Sequence, residues 1–355
     1  MRAHLTKESF ATMYVNDNKS KSEATRRTMV QSLKRMERVL GKPFEEIGPG
    51  DLKGDTFMVE LGAKYSVNTQ VATLVAVIRF LGALKKPRLQ KWYQRKLSDL
   101  VCSRNSVQNA QEKTEKEKEN WIDYPTLKLK IEEMAQSDFL TDSPVSFVAL
   151  RNFTLMALYT LQPPARISNY LGMVKRHKAK VKCQLASLPK KANYIVQNDD
   201  GTHTFVWNNY KTAKHIGQVI APVESSTLNQ LLAKYLTMSS TTKHFMANKD
   251  GSQMTQTRFT AALTTVSKRL LGKELSNNAF RHIFITHFLS TNPSLNEKIR
   301  VLRLCGQVYK PNSADIYQKN SEEEDGAISD PEVIKEMSAT SNYADSNDSD
   351  SGEVD

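Results

Sequence analysis

Four positions carry side chains that could together act on a phosphodiester. Arg166 lies in LQPPARISNY and Arg281 in LSNNAFRHIFITHFL. Two guanidinium groups match the geometry of non-bridging phosphate oxygens and can stabilise a pentacovalent transition state without a metal. Lys211, in VWNNYKTAKHIG, could protonate a departing oxygen, and the Tyr317 hydroxyl, in SADIYQKN, could form a covalent phosphotyrosine. The residue types therefore indicate metal-independent chemistry on a phosphodiester.

Several other reaction classes lack their motifs in this sequence. The chain contains no GxxxxGK[ST], GxGxxG, HExxH or DxDxDG pattern. A nuclease or polymerase that relies on two metal ions is therefore poorly supported, and we expect no cofactor. Cys102, Cys183 and Cys305 are widely spaced and odd in number, which favours a reducing compartment over a disulfide framework or a cysteine-based zinc site.

The elements that must position these residues fall into two predicted domains. Residues 1–103 show helical periodicity, as in Met29, Leu33 and Met36, and predict a small helical domain. Residues 104–120 (RNSVQNAQEKTEKEKEN) have one aliphatic residue and are either a solvated helix or a linker. We interpret them as the connection to a second domain at 121–320.

The second domain is predicted to be mixed. A strongly apolar helix runs to Pro163-Pro164, strand-type residues with turn signals follow in NYIVQNDDGTHTFVWNNYKTAKHIGQVIAPV, and helices return after it. The strand-type region predicts a small antiparallel sheet with Lys211 at a hairpin tip. The fold class expected for the whole chain is α+β, mainly α.

The charge is divided unevenly along the 355 residues. The chain has 50 Lys+Arg and 38 Asp+Glu, a net charge of +12, but residues 321–355 hold twelve acidic residues and one basic residue. The first 320 residues therefore carry +23 and the tail −11. A body this basic indicates a polyanionic partner such as a nucleic acid, although a merely basic solvated surface is the simpler alternative. We expect the tail to be largely disordered.

A basic and aromatic stretch follows the second N-terminal helix. Its cations could neutralise DNA phosphates, whereas Trp92 and Tyr93 could equally anchor the segment to its own helical bundle. The candidate DNA-contacting residues here and in the second domain are Lys85, Lys86, Arg88, Lys91, Arg95, Lys96, Lys175, Arg176 and Lys214. No apolar run approaches the ~20 residues of a membrane helix, and the N-terminus has no apolar signal region, so we expect an intracellular protein located at DNA, with no membrane partner.

The ordered set of an arginine, a lysine, a second arginine and a late tyrosine resembles the tyrosine recombinases of the integrase, Xer and Cre type. ARISN at 165–169 is similar to the family's first arginine box and YKT at 210–212 to its hairpin lysine motif, with Lys214 as the fallback for Lys211. NAFRHIFITHFL at 278–289 resembles the HxxR box, and SADIYQK at 313–319 the nucleophile segment. Tyr309 is a rival nucleophile that matches less well.

Three positions depart from the family pattern. Asn278 stands in place of the histidine of HxxR, Gln307 in place of a later histidine or tryptophan, and Asn169 in place of a glutamate that many members have. Asn278 and Gln307 can hydrogen-bond a phosphate oxygen, but neither can act as a general base near neutral pH. The activation of Tyr317 is thus open, and reduced activity is one consequence to consider.

The resemblance implies a two-domain clamp around double-stranded DNA, which cuts and rejoins the DNA through a 3′-phosphotyrosine without ATP or a metal. It also implies a tetramer on two DNA sites, and the acidic tail favours an integrase of a virus or mobile element. The capping-box pattern at Ser329–Glu332 and the apolar Val333, Ile334 and Met337 predict either a short helix donated to a neighbouring subunit or a chance signal. The alternatives are a telomere resolvase, a type IB topoisomerase, a DNA-binding relative with impaired catalysis and a basic structural protein.

Overall fold

The computed structural model describes residues 6–16, 23–177, 184–308 and 319. The chain divides between Ala110 and Gln111 into two units, which are described separately below. Tyr317, Tyr309, Cys183 and the segment around Val333–Met337 lie outside the described residues.

Amphipathic helices build the N-terminal unit. Apolar residues at helical spacing are fully buried against each other, such as Leu33 and Met36 in α2 (Glu23–Leu40) and Leu74 and Leu81 in α4 (Val67–Ala83). α4 lies at the centre and packs against both α2 and α5. The helices are α1 (Lys7–Asn16), α2 (Glu23–Leu40), α3 (Thr56–Lys64), α4 (Val67–Ala83) and α5 (Pro87–Asn109), with a 3-10 turn at Phe44–Glu46.

The aromatic pair in α5 anchors that helix to its own unit. Tyr93 is fully buried, and its hydroxyl donates a hydrogen bond of 3.0 Å to the carbonyl of Leu52. Trp92 packs edge-on against Tyr93, and Phe57 does so from another side. The structure thus favours the packing interpretation of this pair over a direct role at a nucleic-acid surface.

An apolar central helix organises the second unit. α8 is buried along almost its whole length, and it packs against α7, α11, α12 and α13. Ser146 caps its N-terminus by accepting a hydrogen bond from the Ala149 N–H. The helices are α6 (Glu115–Asn120), α7 (Tyr124–Met134), α8 (Phe147–Thr160), α9 (Ile167–Tyr170), α10 (Ala213–Ile216), α11 (Ser226–Met238), α12 (Gln256–Leu271), α13 (Asn277–Ser290) and α14 (Leu295–Leu304).

A four-stranded sheet of order β1-β2-β3-β4 lies in the same unit. Its strands are β1 (Val174–His177), β2 (Tyr194–Gln197), β3 (His203–Trp207) and β4 (Val219–Pro222). Alternate residues of β3 enter two apolar clusters: Phe205 and Trp207 join the main core, and Val206 packs with Tyr194 and Val196. All five β3 residues are buried because both faces of the strand are covered.

One local expectation needs correction. The sheet was expected to be antiparallel, and β2–β3 and β3–β4 are, but β1 pairs with β2 in parallel, with Val174 opposite Tyr194. Residues 104–109 form the largely exposed end of α5, which is the solvated helix that the sequence left open as an alternative to a linker. The mainly helical α+β class itself is confirmed. Within the described ranges, no helix is long and apolar enough to cross a membrane.

Candidate active site

The carbonyl of Gly306 joins two distant segments of the chain. It accepts hydrogen bonds from Arg166 Nε at 3.3 Å and from Thr212 Oγ1 at 2.8 Å. Gly306 follows the end of α14 with φ +69°, a left-handed conformation that glycine adopts without strain. This turn directs the carbonyl toward both partners and brings Arg166 next to the connection between β3 and β4. We refer to Gly306 and its two hydrogen bonds as the Gly306 joint.

Arg166 also contacts Gln307, the residue that follows Gly306. Its Nη2 donates to Gln307 Oε1 at 3.2 Å, so the guanidinium spans Gly306 and Gln307. The backbone of Arg166 is extended (φ −69°, ψ 152°) and immediately precedes α9. Arg166 as a whole is half-buried.

Arg281 approaches the same region from α13. Ser276 caps this helix by accepting from the Ala279 N–H, and Arg281 follows in the second turn with only 1% of its surface exposed. Burial raises the pKa of the Cys305 thiol to about 12, and the positive charges of Arg281 and Arg166 oppose that rise. Both guanidinium groups therefore act electrostatically on one residue, Cys305, next to the Gly306 joint.

Lys211 precedes Thr212 in the connection between β3 and β4. Its side chain is exposed, as is that of Lys214 in the single turn of α10. The hydrogen bond from Thr212 to Gly306 fixes this connection beside Arg166, so Lys211 leaves the backbone one residue from the joint. Asn278 is exposed in the first turn of α13, three residues before Arg281, and its Oδ1 accepts from Asn277 Nδ2 at 3.2 Å.

Two buried amides in this region have hydrogen-bonding capacity left over. Asn169 is fully buried, and neither its Oδ1 nor its Nδ2 has a hydrogen-bond partner among the described residues. Gln307 uses Oε1 to accept from Arg166, whereas its buried Nε2 has no partner there. Buried polar atoms are normally paired, so these two amides are exceptions within the described residues.

Together these side chains form a cluster rich in hydrogen-bond donors. The Arg166 and Arg281 guanidinium groups and the Gln307 amide can donate to anionic oxygens, and Lys211 adds an exposed cation. This composition suits a phosphodiester. Within the described ranges, no cluster of three or more His, Cys, Asp or Glu side chains could hold a metal ion.

Sequence reasoning assigned roles to Arg166, Lys211, Arg281, Asn278 and Gln307. It named Asn169 only as a departure from the family pattern and did not select Thr212, and the geometry adds both. Thr212 ties the lysine connection to the joint, and Asn169 supplies a buried amide beside it. The YKT and ARISN motifs contain both residues, so the signal was present. The roles of these two residues could not be recognised without the Gly306 carbonyl. Every residue has a backbone carbonyl, so a sequence does not show which one accepts a given hydrogen bond.

The candidate DNA-contacting cations differ in whether their side chains are exposed to solvent or interact with other side chains of the protein. Lys85, Lys86, Arg88, Lys91 and Arg95 are exposed in the N-terminal unit, whereas Lys96 pairs with Asp55 at 3.0 Å and lies over the Trp92 ring. In the second unit Arg176 is exposed and stacks on Tyr194.

Lys175 departs from the role expected for it. Its ammonium group donates to the Ser239 carbonyl and to Thr242 Oγ1, at the C-terminal end of α11, and burial lowers its pKa. We therefore assign it to the stabilisation of that helix end.

Comparison with known proteins supplies the fold. No protein-family model and no curated protein matches the chain. Among solved structures, XerA recombinase is similar at 13% identity over 93% of this chain and 96% of that chain, with a TM-score of 0.38. The Tn1549 transposon integrase in complex with a circular intermediate DNA is similar at 12% identity over 89% of this chain and 96% of that chain, with a TM-score of 0.50. On the second of these, the chain has the tyrosine recombinase fold that its sequence motifs predicted.

Proposed function

We propose that the protein is a site-specific DNA recombinase of the integrase kind, which cuts and rejoins DNA through a 3′-phosphotyrosine. One observation carries the proposal: Arg166 and Thr212 both donate hydrogen bonds to the Gly306 carbonyl. The positive charges of Arg281 and Arg166 also oppose the rise that burial causes in the pKa of the neighbouring Cys305 thiol. Motif segments that are up to 140 residues apart in sequence thus converge on one turn. The similarity to an integrase solved with DNA supports the same conclusion.

In the proposed reaction the Tyr317 hydroxyl attacks the scissile phosphorus and loses its proton. Arg166 and Arg281 hold the non-bridging oxygens while their negative charge grows. The bond from phosphorus to the 5′ oxygen breaks, and Lys211 transfers a proton to that oxygen. The phosphotyrosine retains the bond energy, so attack by a 5′ hydroxyl from a partner strand reverses the step and completes recombination.

The proton lost by Tyr317 has no obvious acceptor among Asn278 and Gln307, because neither amide titrates near neutral pH. We propose that it leaves to solvent and that Gln307 acts as a phosphate-oxygen donor through Nε2. The basic side chains of both units would neutralise backbone phosphates, which makes binding salt-sensitive. A tetramer on two DNA sites and a role in integration of a virus or mobile element complete the proposal.

A covalent adduct tests the proposal directly. A duplex nicked close to its cleavage site traps the phosphotyrosine, because the short strand released by cleavage diffuses away. We expect wild-type protein to form the adduct on its cognate site and the Tyr317→Phe variant to form none. Tyr309→Phe is the matched control and should retain it; an adduct lost in Tyr309→Phe and kept in Tyr317→Phe would reassign the nucleophile.

Topology separates the enzymatic alternatives. Strand exchange between two duplexes supports recombination, hairpin formation would identify a telomere resolvase, and relaxation of supercoils alone would identify a type IB topoisomerase. Specific binding to a cognate site with no adduct would identify a DNA-binding relative that has lost catalysis. DNA recovered with the Tyr317→Phe protein would supply the cognate site for these assays.

A further inference from the structure

Lys319 lies two residues after Tyr317 and is held by three contacts. Its backbone N–H donates to Thr286 Oγ1 at 2.9 Å. Its ammonium group donates to the carbonyl of Glu112 at 3.0 Å and forms an ion pair with Glu117 at 3.2 Å. We refer to this set of contacts as the Lys319 clasp. Only 14% of the Lys319 side chain and 27% of that of Glu117 are exposed.

The carboxylate that receives Lys319 is fixed in advance. Glu117 forms a capping box with Thr114 at the start of α6: its Oε2 accepts from the Thr114 N–H at 2.9 Å and from Thr114 Oγ1 at 3.0 Å. Burial alone would raise the pKa of Glu117, but the Thr114 hydrogen bonds and the Lys319 charge outweigh it and leave the pKa below its usual value. The pair therefore loses less side-chain entropy than an ordinary surface ion pair, and water screens it less.

The clasp joins the chain just after Tyr317 to the helix that carries Arg281. The Lys319 N–H donates to Thr286, which follows Arg281 by five residues on α13, about 7.5 Å along the helix axis. Lys319 follows Tyr317 by only two residues in the sequence, and two residues of extended chain span at most about 7 Å.

We propose that Lys319 is a positioning residue for cleavage, which holds Tyr317 for attack and makes its position depend on α6. α6 begins five residues after Ala110 and lies at the start of the second unit, so the first residues of that unit would also support the nucleophile. This inference rests on the proposed function, because it takes Tyr317 as the nucleophile. Lys319 itself touches neither phosphate nor leaving group in this role.

The test measures single-turnover cleavage of the nicked duplex by full-length variants, together with DNA affinity and thermal stability. We expect Lys319→Gln to lower the cleavage rate at least tenfold with DNA affinity unchanged within twofold and thermal stability unchanged. Lys319→Arg should restore most of the rate, because it keeps the charge. Glu117→Gln keeps the capping-box pattern but removes the charge, and should also slow cleavage.

Lys268→Gln is the matched control, since it removes an exposed Lys–Glu pair, Lys268 with Glu274, from the same unit. It should cleave at the wild-type rate. Wild-type cleavage by Lys319→Gln would overturn the inference, and so would a parallel loss of cleavage, DNA affinity and stability that Lys319→Arg does not rescue. Absence of an adduct with wild-type protein on its cognate site would instead overturn the proposed function.

Discussion

The two units treat their buried polar side chains differently. In the N-terminal unit, Tyr93, Gln70 and Thr73 each donate to a backbone carbonyl of the same unit, at 3.0, 2.7 and 2.8 Å. In the second unit, the buried amides of Asn169 and Gln307 have atoms with no partner among the described residues. A buried polar group left without a partner costs about 1–3 kcal/mol.

Location gives this difference its meaning. The described part of the N-terminal unit has one such atom, Ser32 Oγ, and the second unit has others away from the site, such as Trp207 Nε1. A missing partner alone therefore does not mark a site. At Asn169 and Gln307 the unpartnered amide atoms lie in the same region as Arg166 and Arg281. The second unit is therefore less stable than it could be at the place where it could bind a ligand. The exposed cations of the N-terminal unit carry no such cost.

The largest effect should come from removing a guanidinium group at the joint. We expect Arg166→Ala to lower the rate of covalent adduct formation by about 10²–10³-fold, the usual loss for a donor that stabilises transition-state charge. Arg95→Ala, an exposed arginine of the N-terminal unit, should leave the rate of the bound complex unchanged. Equal losses in the two variants, measured at saturating protein, would contradict the division of roles between the units.

Removing the Tyr93 hydroxyl should destabilise the N-terminal unit without affecting chemistry. Tyr93→Phe leaves the buried Leu52 carbonyl without its donor and should lower the free energy of unfolding by about 1–2 kcal/mol. Denaturant unfolding measures this loss. Tyr65→Phe, at a partly exposed tyrosine of the same unit, is the control and should change it little.

The opposite sign is expected at Asn169. Replacing an unpartnered buried amide with an apolar side chain of similar size, as in Asn169→Leu, should raise the free energy of unfolding by about 1 kcal/mol and slow cleavage. The same change at Asn193 is the matched control. Its amide donates to the carbonyls of Asn169 and Asn209 and accepts from the N–H of Asn208 and Asn209, so Asn193→Leu should destabilise the protein. A destabilised Asn169→Leu protein would show that this amide is structural.

The smallest effect concerns the charge of the whole chain. Deleting residues 321–355 removes a net charge of −11 from a body of +23. We expect non-specific DNA binding to tighten several-fold and its salt dependence to steepen, as measured by a salt titration. A tail of equal length with its acidic residues changed to Asn and Gln should behave like the deletion, and if it behaves like the wild type, length rather than charge is responsible.

Much of the helical framework could be predicted because its periodicity is strong. Leu33 and Met36 in α2, and Leu74 and Leu81 in α4, recur at the spacing that one buried helix face requires, and all four are in the core. β1 could not be predicted from its sequence, VKRH, because one buried residue in four gives no alternation. Its parallel pairing comes instead from the long connection to β2, which sequence patterns do not specify.

The residue types of the candidate site could be predicted from the sequence, but the contacts that bring those residues together could not. Motif order brought Arg166, Lys211 and Arg281 forward, but nothing in the sequence says that a backbone carbonyl joins their segments. The Lys319 clasp is similar, because Glu117 and Lys319 are about 200 residues apart in a chain with many charged pairs. Long-range contacts of this kind depend on tertiary structure, which local propensity does not encode.

The Gly306 joint has a consequence for how such a protein can change over time. Its acceptor is a peptide oxygen, which every amino acid supplies, so the sequence around it can drift as long as the backbone turn survives. Only the turn constrains the residue type, because φ is +69° there and a side chain would strain it. An assembly built in this way can therefore tolerate extensive change in the sequence that surrounds it.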